Sequence, residues 1–158
     1  MRGRAILAVL AVGALGLVAL ATTVVFHGTA THPRSPAVKV DVSTLRPAQV
    51  DVVDTTLPGQ PAPTRIFVTR VPGDGVKAFL ATSTHLGCRI SWTGEPVYGD
   101  ITVGPKVAFA DPCGGSEWSV DGVCLGGPCP RALDHYAVRV EDGTATVDLT
   151  HLVRGAHR

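Results

Sequence analysis

Ser83-Thr84-His85-Leu86-Gly87-Cys88 and Asp111-Pro112-Cys113-Gly114-Gly115-Ser116 are the two stretches on which the reading of this chain turns. Each is a short run of turn-forming and small polar residues around a cysteine. Each follows a strand-like stretch, 76–82 before the first and 106–110 before the second. Further out, 38–42, 49–53 and 65–71 alternate or run apolar and β-branched, with Pro and Gly between several of them. Downstream, 136–140 and 145–149 continue the pattern, and Glu141-Asp142-Gly143-Thr144 between them is a hairpin signal. No helical period stands out beyond the apolar N-terminus. The expectation is an all-β fold, a small β-sandwich or barrel-like domain.

The two stretches resemble a Rieske iron–sulfur site, whose pattern reads Cys-Thr-His-Leu-Gly-Cys and then Cys-Pro-Cys-His-Gly-Ser. A Rieske centre uses two thiolates on one iron and two imidazoles on the other. Laid on this chain, the four ligand positions fall on Ser83, His85, Asp111 and Gly114. Only His85 retains its ligand type, so these are read as vestigial positions. The two cysteines of the pattern that bind no iron correspond to Cys88 and Cys113.

More of the chain fits in order. Trp92 stands where the family often has an aromatic, and Phe109-Ala110-Asp111-Pro112-Cys113 fits a Phe-x-Cys-Pro-Cys run with Asp for the first Cys. Ser116-Glu117-Trp118 fits Ser-x-Phe. Gly127-Pro128-Cys129-Pro130 and the following Arg131 resemble the segment that folds over the cluster, the Pro loop. The resemblance covers roughly 37–150. Cys88 and Cys113 lie further apart than in the family, so 89–110 carries an insertion, and the turn formers of 94–106 suggest an extra hairpin or loop.

The chain has 158 residues and a net charge of +1, which gives no electrostatic case for nucleic acid. Residues 5–26 hold no charged side chain. As a helix at about 1.5 Å per residue they would reach roughly 33 Å, enough for a bilayer core. Arg2 and Arg4 precede them, which places the N-terminus in the cytoplasm and the remainder outside. The plain alternative is a cleaved signal peptide ending near Ala19-Leu20-Ala21. The expected organisation is a membrane anchor at 1–26, a Pro/Gly/Thr linker at 27–36, a Rieske-like domain at 37–150 and a tail at 151–158.

Four cysteines, Cys88, Cys113, Cys124 and Cys129, all follow the apolar segment. An even number in an oxidising compartment argues for disulfides, and spacing leaves all three pairings open. The resemblance implies Cys88 with Cys113, which leaves Cys124 with Cys129. No two cysteines are separated by two residues, so zinc, ferredoxin and dithiol motifs find no support.

Gly114 offers no ligand atom, and Ser83 offers a hydroxyl in place of a thiolate. No cofactor is therefore expected; the alternative is an atypical [2Fe–2S] cluster, or a single metal held by His85 and Asp111. The plain reading of His85 is a hydrogen-bonded loop histidine, and of His135 and His151 surface exposure. Glu95, Glu117 and Asp121 suit turn and surface roles better than paired catalysis. No nucleophile elbow or phosphate loop occurs, so an enzyme is not the expectation. The apolar run with Arg2 and Arg4 before it implies a single-pass membrane protein with its domain on the extracytoplasmic side. The resemblance implies an accessory or interaction subunit of a membrane electron-transfer complex, partnered by integral subunits of a respiratory-type complex. The alternative is an electron carrier with atypical ligation.

Overall fold

The computed structural model describes residues 36–57, 59–94 and 106–158. The expected anchor at 1–26 and the linker up to its last residue lie outside them, as does 95–105 in the insertion. Among the described residues no helix is long and apolar enough to cross a membrane.

The described chain is all β, as expected. Its strands are β1 (Ala37–Asp41), β2 (Val50–Thr56), β3 (Pro63–Val71), β4 (Gly75–Leu80) and β5 (Ser91–Trp92), then β6 (Phe109–Ala110), β7 (Glu117–Trp118), β8 (Cys124–Gly126), β9 (His135–Glu141) and β10 (Thr144–Val153). The larger sheet runs β1-β10-β9-β4-β3-β2 and is nearly closed on itself; the smaller runs β5-β6-β7-β8. All neighbours are antiparallel. The β9–β10 connection is the hairpin signalled by Asp142-Gly143. Both residues have positive φ, 47° and 75°, the type I′ geometry that matches strand twist.

Strand β3 positions everything else. Ile66, Phe67, Val68 and Thr69 are all fully buried, so both of its faces are covered. Successive strand side chains point to opposite faces. Ile66 and Val68 accordingly enter one core, with Val42, Ala78, Tyr136, Ala145 and Val147, inside the large sheet. Phe67 enters a second, with Phe79, Ile90, Phe109, Trp118, Cys129 and Leu133, between the large sheet and the small one. Phe109 of β6 stacks on Phe67 at 5.0 Å and meets Phe79 edge-on at 5.9 Å. Each buried aromatic contributes on the order of 2 kcal/mol. These rings fasten the small sheet, which carries the second loop and the far end of the first, onto the large one.

One expectation changes. Strand β10 passes a bulge after Asp148 and re-pairs Leu152 with Tyr136 and Val153 with His135. Beyond it, Ala132 donates its amide to the carbonyl of Ala156, Arg158 donates to Pro130, and His157 bridges to Arg131. Residues 151–158 are therefore paired parts of the domain, not a tail beyond 150. Backbone groups of 130–132 need partners, and the chain end supplies them. In the insertion, β5 and β6 pair directly, with the Thr93 amide on the Ala108 carbonyl, so 93–108 joins neighbouring strands.

Candidate functional site

The two loops leave the second core side by side, one between β4 and β5 and the other between β6 and β7. The first closes on itself. The Ser83 amide donates to Cys88 at 2.7 Å and the Gly87 amide returns to Ser83 at 3.1 Å. Leu86 at its apex is 65% exposed.

The second loop is organised by Asp111. Its Oδ1 accepts the amides of Cys113 at 2.9 Å and Gly114 at 3.1 Å. Its own amide donates to the Ser116 carbonyl, and its carbonyl accepts from Gly115. Short side-chain-to-backbone bonds of this kind are what Asp offers a turn.

Cys88 and Cys113 form a disulfide joining the loops, with their Cα atoms 6.3 Å apart. Cys124 and Cys129 form a second one, joining β8 to the Pro loop. That loop is anchored from below. Thr84 Oγ1 and Trp118 Nε1 both donate to the Arg131 carbonyl, and the Arg131 guanidinium pairs with Asp134 at 2.9 Å. Gly127 permits the closest approach: a Cβ there would stand 2.1 Å from the Gly115 carbonyl oxygen, and its φ is 72°.

Three of the four positions that the resemblance assigns to ligands converge. A Cβ on Gly114 would stand 2.8 Å from Asp111 Oδ2 and 3.1 Å from His85 Nδ1. Asp111 is 2% exposed, and its Oδ2 is buried without a hydrogen-bond partner among the described residues. His85 is exposed, while Ser83 is buried with its Oγ accepting the His85 amide at 3.3 Å. Ser116 is fully buried and its Oγ also lacks a partner. Ligand-type atoms of Cys88, Asp111 and Cys113 lie within 4.8 Å of one another, but the two sulfurs are bonded to each other. Neither loop cysteine is a thiolate.

A Rieske centre asks for two thiolates and two imidazoles. The loops present one hydroxyl, one imidazole, one carboxylate and a glycine. This donor set does not fit that cluster. His135 lies half-buried on β9 with its ring edge-on to Phe79, and His151 is exposed on β10. Asp121 accepts the Ser119 hydroxyl within a turn. The sequence signalled the cysteines and the two loops. It gave no sign that Asp111 organises its loop or that the Arg131 carbonyl receives two side chains.

No family model matches the chain. Among curated proteins it is 34% identical over 77 residues to the cytochrome b6-f complex iron–sulfur subunit of Chlorobaculum tepidum, covering 49% of this chain and 37% of that one. It is 31% identical over 85 residues to the same subunit of Prochlorococcus marinus, covering 54% and 42%. It spans less than half the length of those relatives. Two solved structures are also similar to the chain. A chain of a hyperthermophilic respiratory complex III shares 26% identity over 92% of this chain and 99% of its own, with a TM-score of 0.48. The plasma membrane Rieske protein of Synechocystis PCC 6803 shares 27% over 61% and 84%, with a TM-score of 0.43.

Proposed function

We propose that this chain is a membrane-anchored, cluster-less Rieske-like subunit that serves a membrane electron-transfer complex by interaction rather than by carrying electrons. The observation that carries the reading is the donor set. The frame that brings two loops together is intact, while the positions that would bind iron hold Ser83, Asp111 and Gly114 beside the single imidazole of His85. Both loop sulfurs are committed to a disulfide. The curated relatives are subunits of cytochrome b6-f complexes, and a similar solved chain is part of a respiratory complex III. Those names support an integral, respiratory-type complex as the partner. The apolar run at 5–26 supports a single-pass anchor with the domain on the extracytoplasmic side.

Docking would use the loop end. Leu86 and Leu125 are exposed there, on backbone stapled by the two disulfides. A rigid apolar tip loses little entropy when a partner covers it.

A second reading has one observation in its favour. The unpartnered Asp111 Oδ2 and His85 Nδ1 face the same point, and a single divalent ion there would give an atypical metal site. One experiment addresses both readings: iron, zinc and acid-labile sulfide measured on the full-length protein purified anaerobically from native membranes, with its visible spectrum and co-purifying subunits. The expected result is a colourless, iron-free protein accompanied by integral membrane subunits. About two irons and two sulfides per chain would overturn the first reading. One metal per chain would favour the second.

A further inference from the structure

We propose that Asp111 and Gly114 are locked to one another: the carboxylate at 111 holds the second loop, and its position is the reason that 114 carries no side chain. The proposal rests on the cluster-less reading above and extends it to what now fills the site.

The constraint at 114 is steric. Gly114 does not have the positive φ that makes a side chain costly, whereas Gly115 beside it does, at 71°. An L residue could therefore take the Gly114 backbone. What it would meet is Asp111 Oδ2 at 2.8 Å and His85 Nδ1 at 3.1 Å, with Asp111 Cγ at 3.6 Å. His85 is exposed and can turn away. Asp111 cannot. It is buried, its Oδ1 is held by two amides, and its amide and carbonyl are bonded to Ser116 and Gly115. Two residues on, Cys113 is tied to Cys88. Close-packed surroundings of this kind pass a clash on as strain rather than absorbing it.

The same carboxylate explains why the loop needs no metal. The amides it collects belong to Cys113 and Gly114, so the turn that a cluster would brace is closed from within the chain. A ligand side chain cannot return to 114 while Asp111 stands. Positions 111 and 114 can change together but not one at a time.

The test is a double-mutant cycle on the full-length protein: wild type, Asp111→Ala, Gly114→Ala and the two combined, read as thermal midpoints, with iron content measured on the wild type. Gly114→Ala should lower the midpoint by roughly 5 °C or more beside Asp111, and by much less beside Ala at 111. If Gly114→Ala alone yields no folded protein, the combined variant should restore folding. Equal losses in both backgrounds, or a combined variant no better folded, would overturn the lock. Iron in the wild type would instead overturn the cluster-less reading, so the two claims fail separately.

Discussion

Thr84 Oγ1 donates to the backbone carbonyl of Arg131 at 3.0 Å, joining residues 47 apart in sequence. The same carbonyl accepts Trp118 Nε1 at 3.3 Å. One oxygen at the end of the Pro loop thus receives both the first loop and the core tryptophan of β7. Thr84→Val keeps the side-chain shape and removes the donor. It should cost about 1 kcal/mol, the net worth of such a bond, in urea denaturation with the far-UV spectrum unchanged. A variant as stable as wild type would mean that this bond does not hold the loops together.

Gly127 faces the Gly115 carbonyl from the other side. Its φ of 72° is strained for any L side chain, and a Cβ would overlap backbone at 2.1 Å, where no rotamer change gives relief. Gly127→Ala should therefore cost more than about 2 kcal/mol and expose the Cys124–Cys129 disulfide to reductant faster than in wild type. The matched control is Gly73→Ala, which shares a positive φ but meets nothing within 4 Å, and should cost less.

The long strands were legible because their signals are local. Asp142-Gly143 demands two positive φ angles, and 65–71 is a β-branched and aromatic run of the kind that strands carry. The two-residue strands β5 and β7 were not legible, since Ser91-Trp92 and Glu117-Trp118 are too short to show a period. Nor was the pairing of 151–158, because it depends on free backbone groups at 130–132 that no sequence pattern marks. At the site, the resemblance supplied the positions. What Asp111 does there depends on an oxygen meeting two amides, and a letter in a sequence does not specify that.

The two disulfides should differ in weight. They close loops of 25 and 5 residues. Chain entropy gives about 3.5 kcal/mol for the longer loop and about 2 kcal/mol for the shorter. The Cys88→Ala/Cys113→Ala pair should therefore lower the urea midpoint more than Cys124→Ala/Cys129→Ala does. The reverse order would show that packing of the buried Cys129 in the second core outweighs loop closure.

Acid should weaken the fold through exposed carboxylates. The Arg65 guanidinium hydrogen-bonds Asp54 and holds its carboxyl below the usual range, against an opposing effect of burial, with the charges of Arg65 and Arg89 adding lesser help. The Ser43 hydroxyl and amide do the same for Asp41, and those of Thr150 for Asp148. A carboxyl whose folded value is lowered stabilises the fold above its unfolded value, near pH 4, and loses that contribution as pH falls below it. The urea midpoint should thus be insensitive to these groups between about pH 5 and 7 and fall below about pH 4. Asp54→Asn should make the fall shallower. An unchanged slope would remove Asp54 from the account.

If the frame is intact and only the donors have changed, restoring the donors should restore the site. Ser83→Cys, Asp111→Cys and Gly114→His together would set two thiolates and two imidazoles, with His85, on loops already braced by Cys88–Cys113. Asp111→Cys also removes the carboxylate that stands where a side chain on 114 must go. The triple variant, reconstituted anaerobically with iron and sulfide, should turn coloured and hold about two irons per chain. Gly114→His alone should stay colourless, because Asp111 still blocks the position and no thiolate is free. A colourless but folded triple variant would show that the loops have drifted from the geometry a cluster needs, and that more than these three side chains separate this chain from a metal-binding one.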